Sequence, residues 1–538
     1  MVRSSLFTYN EKELLNLKEA SEWASKYSKQ HITISNISYL IQYGRIKNYG
    51  SNGNPIVSKI ELKNYYDYLK LRVEKWKKIL GNDLNWHLSF AEYKESERTK
   101  HVHRLHPYKG KFIPQLVEYF LDEHKDEFKK EQFFKKGDII LDPFCGSGTT
   151  LVQANELGIH AVGIDISEFN VLISNAKVKK YDIKELSIIT KKLTEEIENF
   201  QRRRSNVKFE EELNEEIEKF NSKWFPSPEY KLKVKQGLIK EIEYAKEKEK
   251  EISGIYWKLV QKYQIKVLQE RDNTFISKWF LAPVREEIDF LSKKIQQIKD
   301  PDIKEIMMLI LSRTVRSCRA TTHADLATLK EPVYSPYYCK KHGKICKPIF
   351  SIIKWWRRYS IDTLNRISEF KKVRTDTMQI SIVGDSRKIN IIEEVKKKNP
   401  ELADLIHRQK IAGIFSSPPY VGLINYHEQH AYAYEIFGFE RRDEMEIGPL
   451  SKGQGKEARE SYVRGIAEVL INCKKFLKQN YNIFLVANDK YNLYPEIARL
   501  AGMKIVNTYK RPVLNRVEKD RSPYAEIIFH LKEKSDEF

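Results

Sequence analysis

Two short stretches carry residue types that can do chemistry together. In Ser416-Ser417-Pro418-Pro419-Tyr420 the paired prolines fix φ and remove two N–H donors, so a rigid turn presents its carbonyls outward. The Ser417 hydroxyl and the Pro418 carbonyl can then accept hydrogen bonds from an exocyclic amine, and the Tyr420 ring can stack on the base that carries it. Such an amine is a poor nucleophile because its lone pair is conjugated into the ring. Acceptors placed at its protons turn the lone pair toward an electrophile. The second stretch is Asp142-Pro143-Phe144-Cys145-Gly146-Ser147-Gly148-Thr149-Thr150, whose glycines permit a tight turn and close approach of the backbone to a ligand.

Each stretch must be delivered by a strand. Ile139-Ile140-Leu141 reads as a buried strand before the glycine turn, and Leu151-Val152-Gln153-Ala154 as the start of a helix with unpaired N–H groups. The next strand, Ala161-Val162-Gly163-Ile164-Asp165, ends in an acid at the spacing where nucleoside-binding α/β folds hold ribose hydroxyls. The turn is not GxGxxG and no lysine follows it, so dinucleotide and ATP readings fall. Gln379-Ile380-Ser381-Ile382-Val383 is a strand by alternation and leads to Gly384-Asp385-Ser386, while Ile411 to Phe415 is a buried strand that delivers the serine-proline turn. Ile483 to Asp489 is a further core strand. Lys510-Arg511-Pro512-Val513 and Ile527 to Leu531 form a terminal hairpin around a polar, basic loop from Asn515 to Tyr524.

DPFCGSGTT followed by GIDIS, and then SPPY, resembles motifs I, II and IV of the S-adenosylmethionine-dependent DNA amino-methyltransferases. His106-Pro107-Tyr108-Lys109-Gly110 resembles motif X, and Gly384-Asp385 motif III. The resemblance implies that His106, Tyr108, Asp142, Phe144, Gly146, Gly148, Thr149, Asp165 and Asp385 bind S-adenosylmethionine. It implies that Ser417, Pro418, Pro419 and Tyr420 do the chemistry on a flipped-out base. SPPY is the form typical of N4-cytosine enzymes; N6 of adenine is the alternative. An RNA amino-methyltransferase and a non-catalytic DNA-binding regulator are weaker readings, the latter because its glycines and SPPY would be eroded. C5-cytosine chemistry needs a Pro-Cys nucleophile loop, and the chain has no Pro-Cys. The resemblance covers residues 101 to 175 and 376 to 538, with a large insertion between motifs II and III rather than between III and IV.

The expected fold class is α/β: a Rossmann-like methyltransferase domain with a mainly helical insertion and a small N-terminal winged-helix domain. The expected division is 1–75 (winged helix-turn-helix-like), 76–175 (motifs X, I and II), 176–375 (helical insertion with target recognition) and 376–538 (motifs III and IV and the last strands). In the first unit, Leu17 to Ala24 and Ile34 to Tyr43 read as helices, Tyr49 to Pro55 as a hairpin tip, and Ser58 as the cap of a helix from Lys59 to Leu69. It resembles excisionase-type winged helices, which would place Arg45 and Lys47 against phosphates. Residues 76 to 100 look helical and connecting, with Trp76, Trp86 and Phe90 as core contacts. Lys, Glu, Leu and Ile dominate Ile183 to Lys250 and Glu286 to Leu311, a pattern of long helices with charged outer faces.

Ninety-five Lys and Arg against 74 Asp and Glu give a net charge of +21, which suits a polyanionic partner. Arginines alternate with aromatic residues from Arg313 to Arg358, as nucleic-acid contacts do, so target recognition is placed there. Double-stranded DNA is the expected partner, with a cognate restriction endonuclease beside it. No apolar run is long enough for a membrane span and Met1 to Phe7 lack a signal peptide's apolar core, so a cytoplasmic, nucleoid-associated prokaryotic protein is expected. The five cysteines are odd in number and scattered, which argues against a disulfide framework. Cys339-x2-His342-x3-Cys346, with Cys318 as a fourth ligand, is a zinc-like spacing that stays incomplete beside a CxxC pair. No metal is assigned on it.

Overall fold

The computed structural model describes residues 13–534 except 30–31, 43, 52–53, 82–83, 91–92, 94, 109, 271, 326–328 and 514–522. The strands are β1 (Leu14–Asn16), β2 (Ile56–Ser58), β3 (Ile139–Asp142), β4 (His160–Asp165), β5 (Tyr337–Cys339), β6 (Lys344–Cys346), β7 (Gln379–Val383), β8 (Ile411–Ser416), β9 (Leu477–Ala487), β10 (Met503–Pro512) and β11 (Ala525–Glu533). Met1 to Phe7, Tyr43, the Asn52-Gly53 tip, Lys109 and most of the loop from Asn515 lie outside the described residues.

Seven strands form one sheet in the order β10-β11-β9-β8-β3-β4-β7, in which β11 alone runs against its neighbours. Near-continuous apolar runs suit strands covered on both faces. Alternate residues separate accordingly: Ile140, Ala161, Ala412, Phe415 and Phe484 pack into one core, and Ile139, Leu141, Val162, Ile414 and Leu485 into the other. The chain is thus mixed α/β with a mostly parallel sheet. The terminal hairpin closes it, with Met503 opposite Glu533 and Pro512 opposite Ala525.

The insertion between β4 and β7 is helical apart from the β5–β6 hairpin and the irregular stretch before it. Long helices fill those stretches, Ile183–Arg202, Asn206–Trp224, Glu241–Lys262 and Pro301–Ser317; Pro226 and Pro228 fall between Asn206–Trp224 and Glu229–Lys235, and Pro301 starts a helix anew. Helix Pro301–Ser317 is capped by Asp300, which accepts from the N–H groups of Asp302 and Ile303 at 2.8 and 2.9 Å. Its centre is buried all round, and the core under β3 and β8 continues into Phe209, Tyr256, Ile288 and Trp356 of the insertion. Trp356 is fully buried and donates Nε1–H to Thr194 Oγ1 at 3.0 Å. Arg313 pairs with Asp362 and Arg357 with Glu198, both at 2.6 Å, so these members of the arginine and aromatic stretch serve the fold. Lys340, Lys341, Lys344 and Arg358 stay exposed.

The N-terminal unit has its own core of Ala20, Ala24, Ile37, Leu40, Ile41, Ile46, Val57 and Leu62. Asn16 and Glu19 form a capping box on helix Leu17–Ser28, and β1 pairs antiparallel with β2. Ser58 caps the next helix as expected, but that helix runs past Leu69 to Leu80, since no glycine or proline interrupts it before Gly81. Trp76 and Phe90 are buried and Trp86 half-buried. Among the described residues no helix is long and apolar enough to cross a membrane.

Candidate active site

The sheet's connections turn in opposite directions from β3 and β8, toward β4 and β7 on one side and toward β9 on the other. The carboxyl ends of such neighbouring strands open a crevice. Asp142 ends β3 and Ser416 ends β8, and the Ser416 hydroxyl donates to Asp142 Oδ1 at 2.5 Å. Burial pushes the Asp142 carboxyl up to about 6, against the pull of the Ser416 and Thr150 hydroxyls and the Phe144 N–H.

The glycine turn follows Asp142. Gly146 and Gly148 stand at φ +46° and +73°, in the left-handed region. A Cβ on Gly146 would lie 2.9 Å from Tyr108 Oη, and one on Gly148 would lie 3.0 Å from Ser174 Cα. Behind the turn, buried Lys177 donates to the Ser147 carbonyl at 2.6 Å. The Gly146 N–H donates to Asp165 Oδ2 at 2.9 Å, and Asp165 Oδ1 accepts from Ser167 N–H at 2.9 Å and Asn170 Nδ2 at 3.1 Å. Burial raises the Asp165 carboxyl despite these donors. Asn170 also donates to Tyr108 Oη at 3.2 Å, fixing that ring over the turn.

At the far wall, burial would raise the Asp385 carboxyl, but Arg387 more than offsets this and holds it below the usual range. The Arg387 guanidinium donates to Asp385 Oδ1 at 2.9 Å and Oδ2 at 2.8 Å. Ser417 donates to the Val486 carbonyl at 3.1 Å.

Tyr108, Asp142, Phe144, Gly146, Thr149, Asp165, Asp385, Ser417 and Pro419 line one cleft of ≈ 880 Å³, open mouth included. The other four expected residues do not. His106 is fully buried beneath it, edge-on to Phe169, with Nε2 3.3 Å from the Tyr432 hydroxyl, and burial pushes its pKa well down. Gly148 packs on Ser174, and Pro418 is buried behind Ser417. Tyr420 is tied to the terminal hairpin, its hydroxyl donating to Glu526 Oε1 at 2.9 Å.

Tyr426 and His427, in a stretch whose sequence suits part of a base pocket, also line the cleft, as do Asn170 and Glu446, which sequence reasoning passed over. Asn170 had a signal, a buried amide five residues after Asp165 on helix Glu168–Val178. Glu446 had none, because only folding brings it to His427, whose Nδ1 lies 2.5 Å from Glu446 Oε1. Cys145 is buried with Sγ 3.0 Å from Ser381 Oγ, a packing role.

Residues 2–176 match the family described as DNA methylase. The type II methyltransferase M.MjaII of Methanocaldococcus jannaschii is 48% identical over 527 residues, 97% of each chain. The chain belongs to the type II DNA methyltransferases. M.BsoBI of Geobacillus stearothermophilus is 25% identical over 307 residues, 51% of this chain and 56% of that one. M.MvaI of Kocuria varians is 35% identical over 109 residues, 20% of this chain and 21% of that one. A DNA methyltransferase of this family acts on DNA and depends on S-adenosylmethionine, and the cleft fits that cofactor. Ser147 Oγ and Asn170 Oδ1 are buried lining atoms with no partner among the described residues. Four carboxylates, Asp142, Asp165, Asp385 and Glu446, line the cleft of a chain whose net charge is +21, which suits a cationic ligand.

Proposed function

We propose that this methyltransferase modifies the exocyclic N4 of cytosine in a base flipped out of double-stranded DNA. The observation that carries the chemistry is the Ser417 hydroxyl. Its proton is engaged by the Val486 carbonyl, so its lone pairs are left to accept from an incoming amine. Ser417 Oγ would hold one of the amine's two protons, which draws its lone pair out of conjugation with the ring, and Pro418 behind it would fix the turn. Bound in the cleft, S-adenosylmethionine supplies a methyl group on a sulfonium centre. Tyr108, Asp142, Phe144, Gly146, Thr149, Asp165 and Asp385 would hold the cofactor, with His106 and Gly148 shaping the elements that carry them. Tyr420, fixed by Glu526, would form the base-side wall. The departing proton would go to solvent.

The DNA-facing parts are read from charge. The N-terminal unit would act as a winged helix, with Arg45 and Lys47 exposed near its second helix, and Lys340, Lys341, Lys344 and Arg358 of the insertion would meet phosphates. A cognate endonuclease that cuts the unmethylated site would complete the system. The test is methylation of genomic DNA with labelled S-adenosylmethionine, followed by nucleoside analysis. N4-methylcytosine supports the reading, and N6-methyladenine overturns the choice of base.

A further inference from the structure

Four side chains that methyl transfer does not use converge in the insertion. Cys339 ends β5, Cys346 ends β6, and His342 sits in the turn between them. His323 comes from the irregular stretch that follows helix Pro301–Ser317. One ligand atom of each, two imidazole nitrogens and two thiol sulfurs, lies within 4.8 Å of every other. In a tetrahedral site with metal–sulfur bonds of about 2.3 Å and metal–nitrogen bonds of about 2.1 Å, ligand atoms stand roughly 3.4 to 3.8 Å apart. His342 Nδ1 already lies 3.4 Å from Cys346 Sγ.

The backbone explains why they meet. The N–H groups of His342 and Gly343 both donate to the Cys339 carbonyl, at 3.0 and 2.6 Å, and Gly343 takes φ +66°. This tight turn folds the Cys-x2-His segment back over itself, and antiparallel pairing then sets Cys346 opposite Tyr337. The Tyr337 hydroxyl reaches the other segment: it lies 2.9 Å from His323 Nδ1 and accepts the His323 backbone N–H at 3.1 Å. With Nδ1 engaged, Nε2 is the nitrogen left to face the sulfurs, the arrangement by which an outer partner orients a histidine ligand. The hairpin itself is held rigidly, since the Asn221 side chain pairs with both the N–H and the C=O of Ile345, each at 2.9 Å. Neither cysteine is in a disulfide.

The geometry points to a structural zinc site made of His323, Cys339, His342 and Cys346. Two thiolates and two imidazoles are a closed ligand set that prefers Zn²⁺ and leaves no coordination position for substrate. Each thiol gives its proton to solvent on binding, two thiolates balance the dication, and nothing is oxidised or reduced. Cys318, the fourth ligand that the sequence spacing offered, is buried outside this cluster; His323 takes its place. The metal would staple His323, in the stretch after helix Pro301–Ser317, onto the hairpin.

The test uses the full chain. Elemental analysis of protein purified without chelator is expected to find one zinc per chain, with Cys339→Ser/Cys346→Ser losing it and Cys318→Ser keeping it. Because the double variant can fail to fold, the wild-type chain is also stripped with a chelator and refilled with Co²⁺. It is then expected to show the visible bands of tetrahedral cobalt with thiolate-to-cobalt charge transfer, and a melting temperature that falls on stripping and returns with Zn²⁺ but not with Mg²⁺. Wild-type protein with neither zinc nor a tetrahedral cobalt spectrum overturns the site, as does a folded double variant that keeps its zinc. Zinc loss on Cys318→Ser overturns the ligand assignment.

Discussion

Ser417 donates its hydroxyl proton to the Val486 carbonyl at 3.1 Å, so the strand beside β8 sets which way this oxygen's lone pairs point. Replacement by alanine removes an acceptor for the target amine and leaves the cofactor's other contacts in place. Ser417→Ala is expected to lower the single-turnover rate by about 10²-fold, as loss of one preorganised hydrogen-bonding partner does. Affinity for S-adenosylmethionine, measured by calorimetry, should stay within about twofold. A variant that keeps its rate removes Ser417 from the chemistry.

Asp142 makes a pH prediction. Burial lifts its carboxyl from 3.8 to about 6, so between those values the folded chain holds a proton that the unfolded chain has released. Stability from this group therefore falls as pH rises through that window, by at most about 3 kcal/mol. Asp142→Asn keeps an oxygen to accept from Ser416 and abolishes the dependence. Its melting temperature should exceed that of the wild-type apo chain at pH 7.5 and match it near pH 4, while S-adenosylmethionine binding weakens. A variant that melts lower at pH 7.5 contradicts the assignment.

The sheet and the two loops at its switch point were legible because each rests on a local signal. An apolar run marks a fully covered strand, glycines at 146 and 148 mark a left-handed turn, and consecutive prolines mark a rigid one. What the sequence could not give is long-range placement. His106 and Tyr108 stand two residues apart, yet one is buried against Phe169 and the other lies over Gly146. The arginines from 313 to 358 read as free positive charge, but acids such as Glu198 and Asp362 meet two of them only in the folded chain.

Gly146 tests the cradle. An alanine there is strained at φ +46° by about 1 kcal/mol, and its Cβ falls 2.9 Å from Tyr108 Oη. Tyr108 must then move, breaking its 3.2 Å bond from Asn170. Gly146→Ala is expected to raise the Kd for S-adenosylmethionine at least about tenfold, near 1.4 kcal/mol. Since the hydroxyl is the nearest atom, Gly146→Ala/Tyr108→Phe should recover part of the loss. Equal affinities in the single and double variants would show that the crowding is not with Tyr108.

Glu446 meets three donors at the cleft. Its Oε1 accepts from the His427 N–H at 2.9 Å and lies 2.5 Å from His427 Nδ1, and its Oε2 accepts from the Tyr426 N–H at 3.3 Å. All of this happens at a buried carboxylate, so Glu446→Ala strands several donors at once and should cost about 3 to 5 kcal/mol of unfolding free energy. Glu446→Gln keeps one acceptor oxygen for the backbone but sets an amide against one of its present donors, and should cost about half as much. His427→Ala keeps both backbone donors on Glu446 and removes only the imidazole. If the pair serves to hold the loop that carries Tyr426 against the cleft, His427→Ala should bind S-adenosylmethionine nearly as wild type, whereas Glu446→Ala should lose binding together with stability. Denaturant melts paired with calorimetric titration separate the two. Cofactor affinity lost in His427→Ala at unchanged stability would instead place the imidazole in direct contact with the cofactor.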